Sequence, residues 1–272
     1  MNIIGIPALV GTYDNYIWVL YDSEEAWVID PGESTQVIDF IKKKNLTLQA
    51  ILITHFHHDH VDGIAALKQT FPKAHVYGPE KTENAFIQTK LKQGDCITLN
   101  ASYHLNVLDT PGHTHDHIAY VNDERLFCGD TLFTAGCGRK FSGSFEEFTD
   151  SILKIRGLAD STQFYCAHEY TESNLKFAYL VEPDNLALKQ RIKHTQINYP
   201  RPLTVAPSSL AEEKATNPFM RFDLPAIKQT LLQRGAKDNP VSLFKTLREW
   251  KDQLDQSGEL DQLSFTELKN QL

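Results

Sequence analysis

The first part of the chain alternates short apolar runs with short amphipathic segments. Runs at 16–21 and 26–29 are rich in aromatic and β-branched residues and are predicted as strands, the second closed by an Asp-Pro-Gly turn. Residues 35–44 carry apolar side chains at helical spacing and are predicted as a helix, and residues 61–70 as a second helix. This alternation predicts an α/β fold.

Four apolar runs share one further property, because each leads into a residue that can bind a metal. Strand ends of an open α/β sheet meet along one rim, so these residues are expected to lie close together. The runs and their sequels are Ile51-Leu52-Ile53 before His55, Asn106-Val107-Leu108 before Asp109 to His113, Leu126-Phe127-Cys128 before Asp130, and Phe164-Tyr165-Cys166 before His168.

Helical spacing replaces strand-like runs in the later part of the chain. Residues 241–254 form one amphipathic stripe, and prolines punctuate a predicted loop within 200–207. We therefore predict an α/β domain over residues 1–170, a helical domain over 171–256, and one short helix in a C-terminal extension over 257–272.

Composition narrows the class of protein and of partner. The chain has 272 residues, 41% hydrophobic and 23% charged, and a net charge of −8, which disfavours a nucleic-acid partner. No apolar run is long enough to span a membrane, and the N-terminus shows no basic leader. None of the four cysteines is in C-x-x-C spacing, which favours reduced thiols. We expect a cytoplasmic protein, a monomer by default, that acts on a small molecule.

The segment from 54 to 60 is the strongest chemical signal. In extended backbone His55 and His57 point to one side and can share an ion, whereas Asp59 and His60, in the first turn of a helix, face a second one. A histidine-rich tract that merely sequesters metal is the alternative, but it would lack ordered downstream partners. Asp130 taken alone is also compatible with a turn residue. The distant residues that would complete two metal positions are His113, Asp130 and His168.

These residues carry a resemblance to a known family. The pattern Thr54-His55-x-His57-x-Asp59-His60, followed in order by His113, Asp130 and His168, resembles the signature of the metallo-β-lactamase-fold hydrolases. Within that superfamily, residues 1–255 resemble glyoxalase II, the hydroxyacylglutathione hydrolases. The motifs that carry the narrower resemblance are Thr110-Pro111-Gly112-His113-Thr114, Gly129-Asp130-Thr131-Leu132-Phe133, Ala135-Gly136-Cys137-Gly138-Arg139, Cys166-Ala167-His168-Glu169-Tyr170-Thr171 and Asn217-Pro218-Phe219-Met220-Arg221.

The resemblance implies a four-layered αβ/βα sandwich, the metallo-β-lactamase fold, followed by a C-terminal α-helical domain. It also implies two divalent metal ions, expected as zinc, with iron or manganese as alternatives because nitrogen and oxygen ligands suit all three. His58 falls at a variable position of the motif and is not counted as a ligand. The implied ligands are His55, His57 and His113 for one ion, Asp59, His60 and His168 for the other, and Asp130 as the bridge.

The implied reaction is hydrolysis of S-D-lactoylglutathione to glutathione and D-lactate, the second step of methylglyoxal detoxification. A hydroxide bridging the metals would attack the thioester carbonyl, with Asp59 and Asp130 as the catalytic carboxylates that hold them. The thiol, whose pKa is about 8.5 in a cysteine model, leaves without a strong general acid. Asp30 and His117 are candidates to orient a ligand imidazole, and Asp30 alternatively caps a turn.

Glutathione carries two carboxylates, so its binding site is expected to be basic and aromatic. The family motifs assign substrate contacts to Arg139, to Phe141, where some relatives have tyrosine, and to Tyr170. Arg248 and Lys251 match an R-x-x-K pattern that contacts the glycine carboxylate; the alternative for both is a solvated helix face.

Other functions of the same fold were weighed against this one. An iron-dependent glutathione persulfide dioxygenase shares the first signature but normally lacks the helical domain. A nuclease needs a basic, aromatic surface, which the acidic balance disfavours, and a β-lactamase is expected to be secreted. A metal-binding module without turnover is the remaining alternative.

Overall fold

Two six-stranded sheets form the centre of the molecule. The computed structural model describes residues 1–196 and 207–272. The predicted proline loop falls mostly on residues 197–206, which lie outside the described residues.

The first sheet joins an antiparallel half to a parallel half. Strands β1, β2 and β3 pair antiparallel, and β3 to β6 pair parallel in chain order. Its central parallel strands, β3 and β4, contain buried apolar runs at 26–29 and 50–52, as expected where both faces of a sheet are covered. The strands are Asn2–Ala8 (β1), Asn15–Tyr21 (β2), Glu25–Ile29 (β3), Thr47–Leu52 (β4), His75–Pro79 (β5) and Thr89–Leu91 (β6).

The second sheet has the strand order β14-β13-β10-β9-β8-β7, in which only β10 and β13 pair parallel. A separate hairpin, β11 with β12, follows the end of β10. The strands are Cys96–Asn100 (β7), Tyr103–Asp109 (β8), Ile118–Val121 (β9), Arg125–Gly129 (β10), Leu132–Phe133 (β11), Gly136–Cys137 (β12), Gln163–Cys166 (β13) and Ser208–Ser209 (β14).

Helices cover the outer faces of both sheets, and a 3₁₀ turn spans Pro218–Met220. The helices are Thr35–Lys44 (α1), His58–Val61 (α2), Ile64–Thr70 (α3), Phe145–Arg156 (α4), Thr171–Val181 (α5), Leu186–His194 (α6), Leu210–Thr216 (α7), Pro225–Gln233 (α8), Pro240–Ser257 (α9), Glu259–Gln262 (α10) and Phe265–Gln271 (α11). No described helix is both long enough and apolar enough to cross a membrane.

Two predicted helices differ from the structure. The helix predicted over 61–70 is divided into α2 and α3, because Gly63 is held against the chain at Pro31, whose carbonyl accepts the Gly63 N–H at 2.8 Å. The single helix predicted in the extension is also divided. Leu263 is extended there, and the Ser264 hydroxyl accepts the N–H of Glu267 to begin α11.

Three apolar layers hold the sheets and helices together. One cluster lies between the two sheets and joins Trp27 and Leu52 of the first to Val107 and Phe127 of the second. A second cluster packs α1 and α3 on the first sheet, and a third packs α4, α5 and α9 on the second. The order helix, sheet, sheet, helix confirms the predicted four-layered sandwich.

A fully buried glutamate ties the C-terminal helices to the second sheet. Glu213 on α7 accepts the backbone N–H of Ala135, between β11 and β12, at 2.8 Å. Its other oxygen accepts Arg191 of α6 at 2.5 Å and the hydroxyl of Ser208 at 2.9 Å. In this network the buried carboxylate of Glu213 and the buried guanidinium of Arg191 compensate each other's charge. The same contacts fix α6 and α7 beside the β11–β12 hairpin.

Replacement of Glu213 should destabilise the protein strongly. In Glu213→Ala, buried Arg191 loses its main anion, so we expect the free energy of unfolding to fall by about 3–5 kcal/mol. Glu212→Ala is the matched control, since this neighbour is half exposed and lies 3.6 Å from Arg191; its expected cost is below about 1 kcal/mol. Urea denaturation of both variants measures the difference, and equal losses would contradict the role of the network.

Candidate metal centre

Loops after four strand ends bring the predicted ligands to one edge of the sandwich. His55 follows β4, His113 follows β8, Asp130 follows β10 directly, and His168 follows β13. The short helix α2 adds Asp59 and His60 from the same segment as His55. All seven predicted ligands therefore lie together, although they come from separated stretches of the chain.

The first group of ligand atoms comprises three imidazoles and one carboxylate. His57 Nδ1 lies 3.1 Å from His55 Nε2 and 3.0 Å from His113 Nε2. His113 Nε2 is also 3.3 Å from Asp130 Oδ2. Ring nitrogens at these distances converge on one point, as tetrahedral metal ligands do.

The second group shares Asp130 with the first. His60 Nε2 and His168 Nε2 lie 3.4 and 3.5 Å from Asp59 Oδ2. The same two nitrogens lie 3.4 and 3.1 Å from Asp130 Oδ1. One oxygen of Asp130 thus faces each group, which is the arrangement of a bridging carboxylate.

Hydrogen bonds on the outer side of the rings determine which nitrogen faces inward. His113 Nδ1 donates to the Arg139 carbonyl and His168 Nδ1 to the Tyr13 carbonyl, both at 2.7 Å. Since a carbonyl oxygen only accepts, the neutral rings carry their lone pair on Nε2, toward the centre. The protein thereby presents these imidazoles in the tautomer that binds a metal.

Asp30 orients two further predicted ligands, His60 directly and His55 through Thr54. Of its two predicted roles, the structure therefore favours orienting an imidazole over capping a turn. Its carboxylate accepts the hydroxyl of Thr54 at 2.6 Å and His60 Nδ1 at 3.1 Å. Because the Thr54 hydrogen is used there, the Thr54 oxygen accepts His55 Nδ1, at 3.0 Å. Asp30 has a φ of 51°, a left-handed conformation that aspartate tolerates better than most residues.

His117 differs from the prediction. Its Nε2 accepts the backbone N–H of Asp130 at 3.1 Å, and its Nδ1 faces the hydroxyls of Thr110 and Thr131. It meets His55 only by ring stacking, with centroids 4.8 Å apart. His117 therefore positions Asp130 through its backbone and forms no hydrogen bond to a ligand imidazole among the described residues.

Asn15 and Tyr13 support the centre and were missed from the sequence. The Asn15 amide donates to the backbone oxygen and to Oδ2 of Asp59, both at 3.1 Å. Tyr13 contributes a carbonyl to His168, as described above, and its ring meets exposed His58 edge-on. Tyr13 precedes β2 and Asn15 begins it, in a stretch with no recognisable metal motif, so the sequence held no signal for them.

Burial and charge set the protonation of the centre. Burial lowers the pKa of His55 well below its usual value and that of His113 to about 4, so both rings are neutral, as ligands must be. Burial acts to raise the pKa of Asp130, but the interactions with the neighbouring rings of His168, His60 and His113 outweigh it and hold this pKa well below its usual value. For His60, Asp130 and Asp30 outweigh burial and raise the pKa.

Two buried atoms test whether a cation fits this group of residues. His60 Nε2 and Asp130 Oδ1 are enclosed by the protein and have no hydrogen-bond partner among the described residues. An unpaired buried nitrogen and oxygen are costly, and a cation that accepts a lone pair from each would remove the cost. The donor set of imidazoles and carboxylates therefore fits a divalent metal.

A cavity of about 640 Å³ opens on the centre and is lined by all five predicted substrate contacts. Tyr170 stacks on His168 with centroids 4.9 Å apart, and Phe141, 58% exposed, meets the rings of His57 and His113 edge-on. Arg248 and Lys251 are only 1% and 5% exposed, which excludes the solvated helix face. The cavity-lining residues named in the sequence analysis are Arg139, Phe141, Tyr170, Arg248 and Lys251.

Gly129 allows a close approach of the chain within the centre, and its substitution is a test of that approach. A Cβ at this left-handed position (φ 48°) would lie 2.5 Å from Thr54 Oγ1 and 2.7 Å from His117 Nε2. Gly129→Ala should therefore displace Asp130 and decrease the amount of bound metal. It should also reduce the free energy of unfolding by more than the ~1–2 kcal/mol that backbone strain alone would cost.

Gly94→Ala is the matched control for that substitution, since Gly94 is also left-handed (φ 88°) but has no atom within 4 Å of the added Cβ. Metal analysis and urea denaturation compare the two variants. Equal stability and equal metal content would contradict the crowding at Gly129.

Two protein-family models together match most of the chain. The model described as the metallo-beta-lactamase superfamily matches residues 10–168, and the one described as the hydroxyacylglutathione hydrolase C-terminus matches residues 169–254.

Curated relatives match over nearly their full length. A protein named hydroxyacylglutathione hydrolase from Hydrogenovibrio crunogenus is 42% identical over 272 residues, covering 96% of this chain and 98% of that one. A protein of the same name from Vibrio parahaemolyticus is 43% identical over 256 residues, covering 93% and 99%.

Solved structures share the fold. The BLEG-1 B3 metallo-beta-lactamase superposes with a TM-score of 0.61 at 25% identity, over 80% of this chain and 99% of that one. ETHE1 from Myxococcus xanthus superposes with a TM-score of 0.62 at 23% identity, over 92% and 98%. The structure agrees with these matches, since predicted metal ligands lie at the rim of a four-layered sandwich and a helical region completes the cavity. The chain belongs to the hydroxyacylglutathione hydrolase family of the metallo-β-lactamase superfamily.

Proposed function

We propose that this protein hydrolyses a 2-hydroxyacyl thioester of glutathione, S-D-lactoylglutathione, to glutathione and D-lactate, the second step of methylglyoxal detoxification. The observation that carries the proposal is a single cavity lined both by ligand residues such as His57 and Asp130 and by the buried cations Arg248 and Lys251. The first set suits hydrolysis of a carbonyl compound, and the second suits an anionic substrate.

Two divalent cations complete this centre in our proposal. His55, His57 and His113 hold one, Asp59, His60 and His168 hold the other, and Asp130 touches both. When bound, such cations supply a nucleophilic oxygen at neutral pH and polarise the thioester carbonyl. Zinc is the proposed metal, with iron or manganese as alternatives that the same nitrogen and oxygen donors accept.

The chain's own residues prepare the centre for these cations. Asp59 and Asp130 remain ionised, because neighbouring histidines, chiefly His60 for Asp59 and His168 for Asp130, lower their pKa against the effect of burial. Each carboxylate therefore offers negative charge to a cation without first losing a proton. The outer hydrogen bonds of the imidazoles hold the rings still, so little reorganisation is needed when a substrate arrives.

Recognition of glutathione is proposed for the other part of the cavity. Arg248 and Lys251 on α9, with Arg139 after β12, offer positive charge to the glycine carboxylate. Tyr170 and Phe141 place aromatic surface between these cations and the centre, where the acyl and cysteinyl parts would lie. Phe141 has no hydroxyl, so it contributes contact area only.

We also propose a division into domains, an oligomeric state and a cellular location. We propose residues 1–170 as the catalytic domain, 171–256 as the helical substrate-binding domain, and 257–272 as an extension of it. Arg248 and Lys251 support the second assignment. A monomer is proposed by default, and a cytoplasmic setting is supported by the four free cysteines.

The helical region also weighs against the main alternatives. A persulfide dioxygenase was expected to lack such a domain, whereas residues 169–254 match the C-terminal model of the hydroxyacylglutathione hydrolases. A metal-binding module without turnover does not require buried cations in the same cavity as the metal ligands. Neither alternative has a specific observation in its favour.

Loss of a metal ligand should abolish thioester hydrolysis. For His55→Ala and Asp130→Ala we expect the release of free thiol from S-D-lactoylglutathione to fall more than about a hundredfold, with lower bound metal. His104→Ala is the control, because this exposed histidine lies on β8 away from the centre, and it should retain full activity. A thiol-reactive chromophore measures the rate. Robust turnover in the ligand variants would eliminate the metal mechanism.

Loss of a basic residue should weaken substrate binding more than it slows the reaction. Arg248→Ala and Lys251→Ala each remove a charged contact remote from the thioester, so KM should rise by roughly ten- to a hundredfold with a smaller change in kcat. Lys245→Ala, exposed on the same helix, should leave both constants unchanged. Thermal melting verifies folding of each variant. An unchanged KM would remove these residues from the substrate site.

A further inference from the structure

The basic residues of the cavity are already paired with two acidic residues of their own helix. On α9, Asp252 lies 3.0 Å from Arg248 and Asp255 lies 2.9 Å from Lys251, each pair four residues apart. Asp255 also lies 3.6 Å from Arg248 and 3.5 Å from Arg139. One carboxylate, that of Asp255, therefore contacts all three cations proposed to recognise glutathione.

The two acidic residues differ in their position relative to the cavity. Asp255 lines it, together with Lys251 and Arg248, whereas Asp252 is not among its lining residues. Asp252 pairs with Arg248 and also lies 3.9 Å from Arg139. A ligand that enters the cavity meets the Asp255 carboxylate and leaves the Asp252 pair untouched.

Physical chemistry explains why an anion is needed at this place. Arg248 and Lys251 are two nearly fully buried cations on adjacent turns of α9, and such charges are costly without a partner. Burial and the charge of Arg248 both lower the pKa of Lys251, while Asp255 opposes them. Asp255 thus keeps the pair of cations compensated in the free protein.

A substrate carboxylate offers the same cations the same chemical group. Two carboxylates held against one ammonium and two guanidinium groups would repel each other, with Asp252 already present as a third. The site therefore exchanges one carboxylate for another at nearly constant net charge. Lys251 loses its interaction with Asp255 when it gains its interaction with the ligand. The free energy of ligand binding therefore reflects the difference between these two interactions.

We infer that Asp255 sets the affinity of the site: it occupies the carboxylate position in the free protein and is displaced by the glycine carboxylate of substrate and product. This inference rests on the proposed function and deepens it. Asp255 weakens the binding of both ligands by a similar factor, because both present the same carboxylate. The consequence is easier release of the product glutathione, at the expense of a higher KM.

Asp255→Asn tests the inference, since it keeps the shape of the side chain and removes the competing charge. In the metal-loaded protein, isothermal titration calorimetry should show the Kd of glutathione falling about threefold or more, because the mostly buried carboxylate of Asp255 no longer competes with the ligand for Lys251. KM for S-D-lactoylglutathione should fall by a similar factor. Glutathione whose glycine carboxylate is converted to the amide should bind both proteins equally.

Two further variants exclude other causes. Glu249→Gln replaces an exposed acidic residue of α9 that, among the described residues, pairs with Lys245 alone. It should leave the Kd of glutathione unchanged, which separates a local effect from one of net charge. In a Lys251→Met background, the gain from Asp255→Asn should largely vanish, because the cation for which the two carboxylates compete is gone. Thermal melting verifies that every variant is folded.

The outcomes separate this inference from the proposed function. If the wild-type protein binds glutathione and Asp255→Asn binds it equally or more weakly, Asp255 merely positions Lys251 and the inference is overturned. If the amide gains as much affinity as glutathione, the competition is not for the glycine carboxylate, and the inference again fails. If the wild-type protein neither binds glutathione nor releases its thiol from the thioester, the proposed function itself fails.

Discussion

Charge compensation around Asp130 is the constraint on which the rest of the structure depends. Its two oxygens face two separate groups of imidazoles, and it stays ionised although it is buried. A carboxylate can hold that place only if its backbone is fixed, and His117 fixes it through the N–H of Asp130. The close approach at Gly129 follows from the same requirement, because the chain must turn sharply between the last core residue of β10 and the centre.

The sandwich provides rigidity for this arrangement, and the C-terminal helices provide a surface for an anionic ligand. The cluster between the sheets and the buried network at Glu213 hold the rim and the helices in place. The cavity between them combines an acidic, histidine-rich part with a basic part. Opposite charges are thereby kept at separate positions in one cavity, each balanced within its own set of residues, as Asp252 and Asp255 balance the cations of α9.

Local patterns predicted much of the fold correctly. Helix α1 has the predicted bounds, and the runs at 16–21 and 26–29 are strands β2 and β3. Errors arose where tertiary contacts override local spacing, as at Gly63, which divides a predicted helix because it packs against the carbonyl of Pro31. His117 was assigned the wrong partner for a similar reason: a histidine near a motif has several neighbours, and only the fold selects among them.

The sequence by itself determined the chemistry of the candidate site and its family, because residue types and their spacing within a segment, as in His55 to His60, are written directly in the chain. It also determined the class of fold through hydrophobic periodicity. Only the tertiary structure decided which atoms face one another: that Asn15 supports Asp59, that Asp30 orients His60, and that Asp255 covers Lys251 and Arg139 at once. Such contacts join residues from different elements, and their distances depend on how sheets and helices pack, which no local pattern encodes.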